Sequence, residues 1–108
     1  MVLKTINDAL PVFIHAINTG QVLQMHNLIQ HFPKLLYLRD SLGRNALMLA
    51  AYNRNPTMFS YLFSNYVLTD PVFNLNDTDK DGLNAYDWAV LGGNEFALNN
   101  MTRFMVEE

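Results

Sequence analysis

The stretch DSLGRNALMLAAYNRNPTMFSYLF, from Asp40 to Phe63, decides how the chain folds. Asp40 and Gly43 open it, and Gly43 can take a positive φ at no steric cost, which suits a turn just before a helix. Asn45 is placed to cap that helix, because its side-chain oxygen can accept an N–H that the first helical turn leaves unpaired. Ala46, Leu47, Leu49, Ala50 and Ala51 then give a short apolar helix, and the small Ala50 and Ala51 let a neighbouring helix come close. Asn53, Arg54 and Asn55 break the pattern. Pro56 suits the first turn of a second helix, which carries Met58, Phe59, Tyr61, Leu62 and Phe63.

The same pattern is found on both sides of this stretch. Upstream, Phe13, Ile14, Ala16 and Ile17 form one apolar patch at helical spacing. Thr19-Gly20 makes a turn, and Val22, Leu23, Met25, Leu28 and Ile29 form a second helix that ends before Pro33. Ala16-Ile17 falls on Ala50-Ala51 and Leu28-Ile29 on Leu62-Phe63, both at an offset of 34 residues. Downstream, Asp79, Gly82, Asn84 and Ala85 repeat Asp40, Gly43, Asn45 and Ala46, and Ala89-Val90 repeats Ala50-Ala51. Gly93-Asn94 supplies the turn that the central unit makes with Arg54-Asn55, and Phe96, Leu98, Met101, Phe104 and Met105 make a last helix.

Repeated at this spacing, D-x-x-G-x-N-A-L-x-L-A-A resembles the ankyrin repeat, with its period of about 33 residues and its T-P-L-H-x-A signature heading the first helix. Asn45 stands for the Thr of that signature, Ala46 for the Pro and Met48 for the His. The resemblance implies an all-α solenoid: three stacked helix–turn–helix units with projecting turns, spanning about residues 6–38, 39–75 and 76–108 of one domain. The first unit has Ile6 and Ala9 where the opening turn carries Asp and Gly. A terminal repeat is expected to be atypical, since one of its faces has no neighbour.

Two connectors join the units. Leu35 to Gly43 is expected to run extended, with Leu35, Leu36 and Leu38 tucked under the helices. Beyond Phe63 the helix is expected to end near Tyr66. Pro71 and the run of Asn74, Asn76, Asp77, Asp79, Asp81 and Gly82 then exclude a regular helix. Ala50 to Ala89 is 39 residues, so this connector carries about five residues more than the first spacing does. Val67, Leu68, Val72, Phe73 and Leu75 are too apolar for a free loop, so part of it is expected to pack down.

Composition sets the outer limits. The chain has 108 residues, half of them hydrophobic and 16% charged, enough for one small domain with a core. Its formal net charge is −3, unevenly spread: five Lys/Arg face two Asp/Glu before Asp70, and two face eight from Asp70 on. That polarity suits an electrostatically oriented partner and lacks the basic stripe that nucleic acid would need. Cysteine is absent, which excludes disulfide and thiol chemistry. The N-terminal MVLKTINDALPVFIHAI carries one Lys and an interrupting Asp8 and Pro11, a poor signal peptide. No apolar run approaches the roughly 20 residues of a membrane span. The expectation is a cytoplasmic monomer with no membrane or nucleic-acid partner.

One stretch carries a rival chemistry. Asp77, Asp79, Asp81 and Gly82 match the start of a calcium loop, where carboxylates two residues apart converge on a hard cation. The match fails further on: Trp88 stands where the bidentate Glu belongs, Asn84 replaces the apolar eighth residue, and Asp87 comes one place early. A calcium-binding loop from Asp77 to Trp88 is the alternative function; a plain turn is the simpler account. His26 and His31 are five apart and do not share a helical face, and His15 is expected to be half-buried and hydrogen-bonded. No nucleophile motif, phosphate loop or dinucleotide fingerprint is present, so no catalytic set, metal site or cofactor is expected.

The positive signal is a surface. In a stack of this kind the turn tips and the exposed side of the first helices line a concave groove. The resemblance places the contact positions at Ser41, Leu42, Arg44, Tyr52 and Asn53 in the second unit, and at Lys80, Asp81, Leu83, Leu91 and Gly92 in the third, with Met48 and Asp87 beside them. Leu42, Tyr52, Leu83 and Leu91 are apolar where a plain solvent face would be polar, and Tyr and Arg are common binding anchors. The resemblance therefore implies a non-enzymatic module that binds another protein, as an inhibitor, immunity protein or effector would. Trp88, just before the paired small residues, is expected to be largely buried.

Overall fold

Six α-helices in three pairs make up the computed structural model, which describes residues 4–69 and 71–106. The first residues of the segment weighed as a leader, Asp70, and the final two residues of the MVEE tail lie outside the described residues. α1 (Ile6–Asn18) pairs with α2 (Val22–His31), α3 (Ala46–Tyr52) with α4 (Pro56–Phe63), and α5 (Ala85–Gly92) with α6 (Glu95–Val106). No strand occurs among the described residues.

All the helices except α2 start where the sequence offers a side-chain oxygen to the unpaired N–H groups of the first turn. Thr5 and Asp8 cap α1 reciprocally. Asn45 Oδ1 accepts the Met48 N–H at 2.9 Å, and Asn55 Oδ1 accepts the Met58 N–H at 2.9 Å. Asn84 and Asp87 cap α5 as a reciprocal pair, at 2.9 and 3.1 Å. The turn inside each pair needs one left-handed residue. Gly20 supplies it with φ +72° and Gly93 with φ +66°, while Arg54 takes the same conformation at φ +55°. A side chain there costs about 1–2 kcal/mol relative to glycine.

The odd-numbered helices form one row and the even-numbered helices a second, each helix resting on the next pair. Small side chains set the spacing: Ala16, Ala50, Ala51 and Ala89 are wholly buried. At Gly92 main chain meets main chain, since a Cβ there would stand 2.2 Å from the Tyr52 carbonyl oxygen. Asn94 locks the third pair to the second. Its buried Nδ2 donates to the Ala51 carbonyl at 2.9 Å, and its Oδ1 accepts the Ala97 N–H at 3.1 Å.

The connectors differ in part from the expected course. The first is not extended throughout: Pro33–Tyr37 winds into a 3-10 turn, which the preset φ of Pro33 favours and which turns Leu35 and Leu36 into the core. The second continues α4 as a wide turn over Ser64–Thr69, and the Tyr66 carbonyl then accepts N–H groups from Val72 and Phe73 at 2.8 and 3.0 Å. Val67, Phe73 and Leu75 pack down as the sequence suggests, whereas Leu68 is exposed.

Two positions of the first pair are polar where the middle pair's are apolar. His15 stands in the place of the buried Leu49, and Gln24 in that of the buried Met58; both are exposed. The expected half-buried His15 is therefore corrected: its position faces the preceding unit in a stack, and no described element lies there. The half-buried histidine is His26, hydrogen-bonded through Nδ1 to the Tyr61 hydroxyl across α2 and α4. Burial, with Tyr66 alongside, pushes the Tyr61 hydroxyl up to about 12, so it stays protonated in that contact.

Candidate interaction surface

The two projecting turns are built alike from the aspartate that opens each. Asp40 Oδ1 accepts the N–H groups of Leu42 (3.0 Å) and Arg44 (2.8 Å). Asp79 Oδ1 accepts those of Asp81 and Leu83, both at 2.9 Å. The Asp40 N–H donates to the Arg44 carbonyl at 3.0 Å, and the Asp79 N–H to the Leu83 carbonyl at 2.9 Å. Gly43 and Gly82 close the turns at φ +83° and +80°. The turns also touch: the Lys80 N–H donates to the Leu42 carbonyl at 3.0 Å, and Arg39 Nη1 reaches the carbonyls of Gly43 (2.8 Å) and Thr78 (2.6 Å).

The second oxygen of each aspartate fixes one large side chain of the face. Asp40 Oδ2 holds Arg44 Nε at 2.7 Å, and Asp79 Oδ2 accepts the Trp88 indole N–H at 2.8 Å. The Arg44 guanidinium carbon lies 4.9 Å from the centre of the Trp88 ring, and Tyr52 meets the same ring edge-on at 5.4 Å. Burial alone would raise the Asp79 carboxyl. The N–H donors of Leu83, Trp88 and Asp81 and the nearby Arg44 charge outweigh it and hold the carboxyl below its ordinary value.

Most of the residues expected on this face are accessible. Ser41, Leu42, Tyr52, Lys80, Asp81 and Leu91 are exposed; Arg44, Asn53, Leu83 and Asp87 are half-buried. Leu42 is 45% exposed, Tyr52 42% and Leu91 60%, large for apolar side chains of a small domain. Besides Arg44, paired with Asp40, two of the half-buried side chains are already engaged. Asp87 caps α5, and Asn53 Nδ2 donates to Asn18 Oδ1 and the Leu49 carbonyl at 2.8 and 2.7 Å. Met48 is a correction: it is fully buried, because α3 has α1 on one side and α5 on the other, and no surface is left to it. Trp88 is also corrected, from largely buried to half-buried. It occupies the place of Leu49 but turns its ring to Tyr52 and Arg44 and its N–H to Asp79, so it belongs to the face. The spacing of nine residues from Asp79 to Trp88, the projecting turn plus one helical turn, was the available signal for that contact.

The carboxylates of the calcium-like stretch do not converge. Asp77 Oδ2 accepts the Asn74 N–H at 3.1 Å, in its own preceding turn, while Asp79 is committed to Asp81, Leu83 and Trp88. Among the described residues no three His, Cys, Asp or Glu side chains gather closely enough to hold a metal ion. No described helix is long and apolar enough to cross a membrane.

Comparison with known proteins agrees with this geometry. Residues 28–89 match the family model for ankyrin repeats in many copies. In fold the chain is similar to a chain in the solved complex of a predatory endopeptidase from Bdellovibrio bacteriovorus with an immunity protein. The TM-score is 0.71 at 23% identity, over 84% of this chain and 44% of that one. The chain thus spans less than half the length of that neighbour. No curated protein matches the sequence significantly.

Proposed function

The chain belongs to the ankyrin-repeat family, and from that premise we propose that it is a non-enzymatic module that binds a partner protein through its turn tips and first-helix face. The observation that carries the proposal is the run of exposed apolar side chains, Leu42, Tyr52 and Leu91, around the Arg44–Trp88 stack. Tyr and Trp offer large rigid contact area with a polar edge, and Arg adds directional donors, the composition of binding hot spots. Ser41, Lys80, Asp81 and Leu83 would form the rim, with Asn53 and Asp87 setting its shape. The half-buried Arg44 and Trp88 are held by Asp40 and Asp79, so the anchor is preorganised and loses little entropy on binding. The neighbour of similar fold comes from a complex of an endopeptidase with an immunity protein. It supports the narrower reading that this module acts as an inhibitor, an immunity protein or an effector.

Affinity capture from native lysate with the wild type and with a Leu42→Ala/Tyr52→Ala variant tests the proposal. One protein should be retained by the wild type and lost by the variant, while both chains melt alike. Equal retention by both would remove this face from the binding reaction.

A further inference from the structure

The two ends of the stack carry the two halves of the contact that joins its units. Inside the molecule the third pair rests on the second through three contacts. Phe96 meets Phe59 edge-on at 6.4 Å, Phe104 meets Phe63 at 6.1 Å, and Asn94 Nδ2 donates to the Ala51 carbonyl at 2.9 Å. At the repeat offsets of 34 and 39 residues, the first pair has Leu23, His31 and Gln21 in the places of Phe96, Phe104 and Asn94. The third pair has Leu98, Thr102 and Val90 in the places of Phe59, Phe63 and Ala51. No described element covers either set.

The uncovered side of α2 is a groove. An open cavity of about 740 Å³ runs along it from Gln21 to Phe32, and no Asp, Glu, Lys or Arg lines it. Leu23 stands in it 73% exposed. At the other end Val90 is 54% exposed, Thr102 is exposed and Leu98 is half-buried, again without a charge. The two sets match in kind: Leu23 is apolar as Leu98 is, His31 is polar as Thr102 is, and Gln21 carries the carboxamide that Asn94 uses. The ends differ in charge. Residues 1–38 hold two Lys and one Asp, whereas residues 76–108 hold two Lys/Arg and seven Asp/Glu. Two acidic ends repel each other; an acidic end on a first pair does not.

We propose that the chain stacks head to tail, the first pair of one copy seated on the third pair of another in the register of the internal repeat. The second copy's Leu98 rests on Leu23, and its Thr102 lies beside His31. Its Val90 carbonyl accepts the Gln21 carboxamide, which within one chain donates to the Thr19 hydroxyl at 3.0 Å. His15 and Gln24 put polar side chains where the internal contact has Trp88 and Ala97. The stacking is therefore weak and reversible, and the dilute chain is a monomer. A contact between two different patches leaves a free end on each copy, so rows grow past the dimer. Leu42 and Tyr52, in the middle unit, take no part, so a row repeats the partner-binding face and gains avidity for a partner with repeated sites.

Sedimentation velocity of the wild type from about 10 μM to about 1 mM, where weak contacts assemble, tests the proposal. The sedimentation coefficient should rise across that range and pass the value of a dimer. Leu23→Asp and Val90→Asp change exposed positions and should melt as the wild type does, yet each alone should stay monomeric. Their equimolar mixture should form a dimer and stop there, because the intact first pair of the Val90 variant seats on the intact third pair of the Leu23 variant. Gln21→Ala should weaken stacking by about two- to tenfold, the share of one hydrogen bond. The Leu42→Ala/Tyr52→Ala variant should associate as the wild type does. The proposal is overturned if the wild type stays monomeric throughout, if the mixture stays monomeric, or if Leu42→Ala/Tyr52→Ala blocks association. It is equally overturned if Leu23→Asp abolishes association and Val90→Asp does not, since first pairs would then meet each other across a two-fold axis. Failure of the capture experiment with stacking intact would count against the partner-binding face alone.

Discussion

The turns that open the second and third units follow one plan and end it differently. Both spend one aspartate oxygen on two N–H groups and close on a left-handed glycine. The other oxygen goes to Arg44 in the second unit and to Trp88 in the third. The Asp-x-x-Gly device thus makes the turn by itself, while the remaining oxygen is free to position whatever side chain the local surface needs. In the second turn it fixes a cation; in the third, an aromatic ring one helical turn into α5. Because that cation lies over that ring, the two turns hold one shared anchor from opposite sides.

The largest difference between the turns should appear at their glycines. A Cβ on Gly43 would stand 2.9 Å from the Lys80 nitrogen, in addition to the unfavourable φ, whereas a Cβ on Gly82 meets nothing within 4 Å. Gly43→Ala should therefore cost about 2–4 kcal/mol and Gly82→Ala about 1–2 kcal/mol, read by urea unfolding. Equal losses would mean that the turns do not touch.

A smaller contrast separates the helices behind the turns. Ala51 is wholly buried against the third pair, while Val90, in the same place one unit on, is 54% exposed. Ala51→Leu should overpack the contact by about 1–3 kcal/mol, and Val90→Ala should change stability by no more than about 0.5 kcal/mol. A large loss at Val90 would show that something covers the outer face of the third pair in solution.

The middle unit was the most legible in the sequence, but the exposure of single positions was not, within that unit or at the ends. The Asp–Gly turns, the asparagine caps and the small paired residues are local devices, and the structure contains each of them. Met48 and His15 were misread because exposure at those places depends on how many neighbours a unit has. Met48 is enclosed by α1 and α5, and His15 faces outward. Trp88 was misread for a different reason. The apolar pattern makes no provision for a ring whose N–H is drawn to Asp79.

The smallest expected effect is the pH dependence that the Asp79 carboxyl gives the third turn. The Asp79 carboxyl titrates below its ordinary value in the folded chain. Its ionised form is therefore bound more favourably in the fold than in the unfolded chain. That stability is fully present above the ordinary carboxylate value of about 4 and drains away as pH falls through the lower folded value. Asp79→Asn keeps an oxygen for the turn but has no charge to lose. Its unfolding midpoint should start lower at neutral pH and fall less steeply than that of the wild type as pH drops below the ordinary carboxylate value. Trp88 fluorescence, followed through the same titration, reports the ring that Asp79 holds, so the signal should change together with the midpoint. Parallel pH profiles for the two chains would show that the third turn gains nothing from its charge and that Trp88 is held by packing alone.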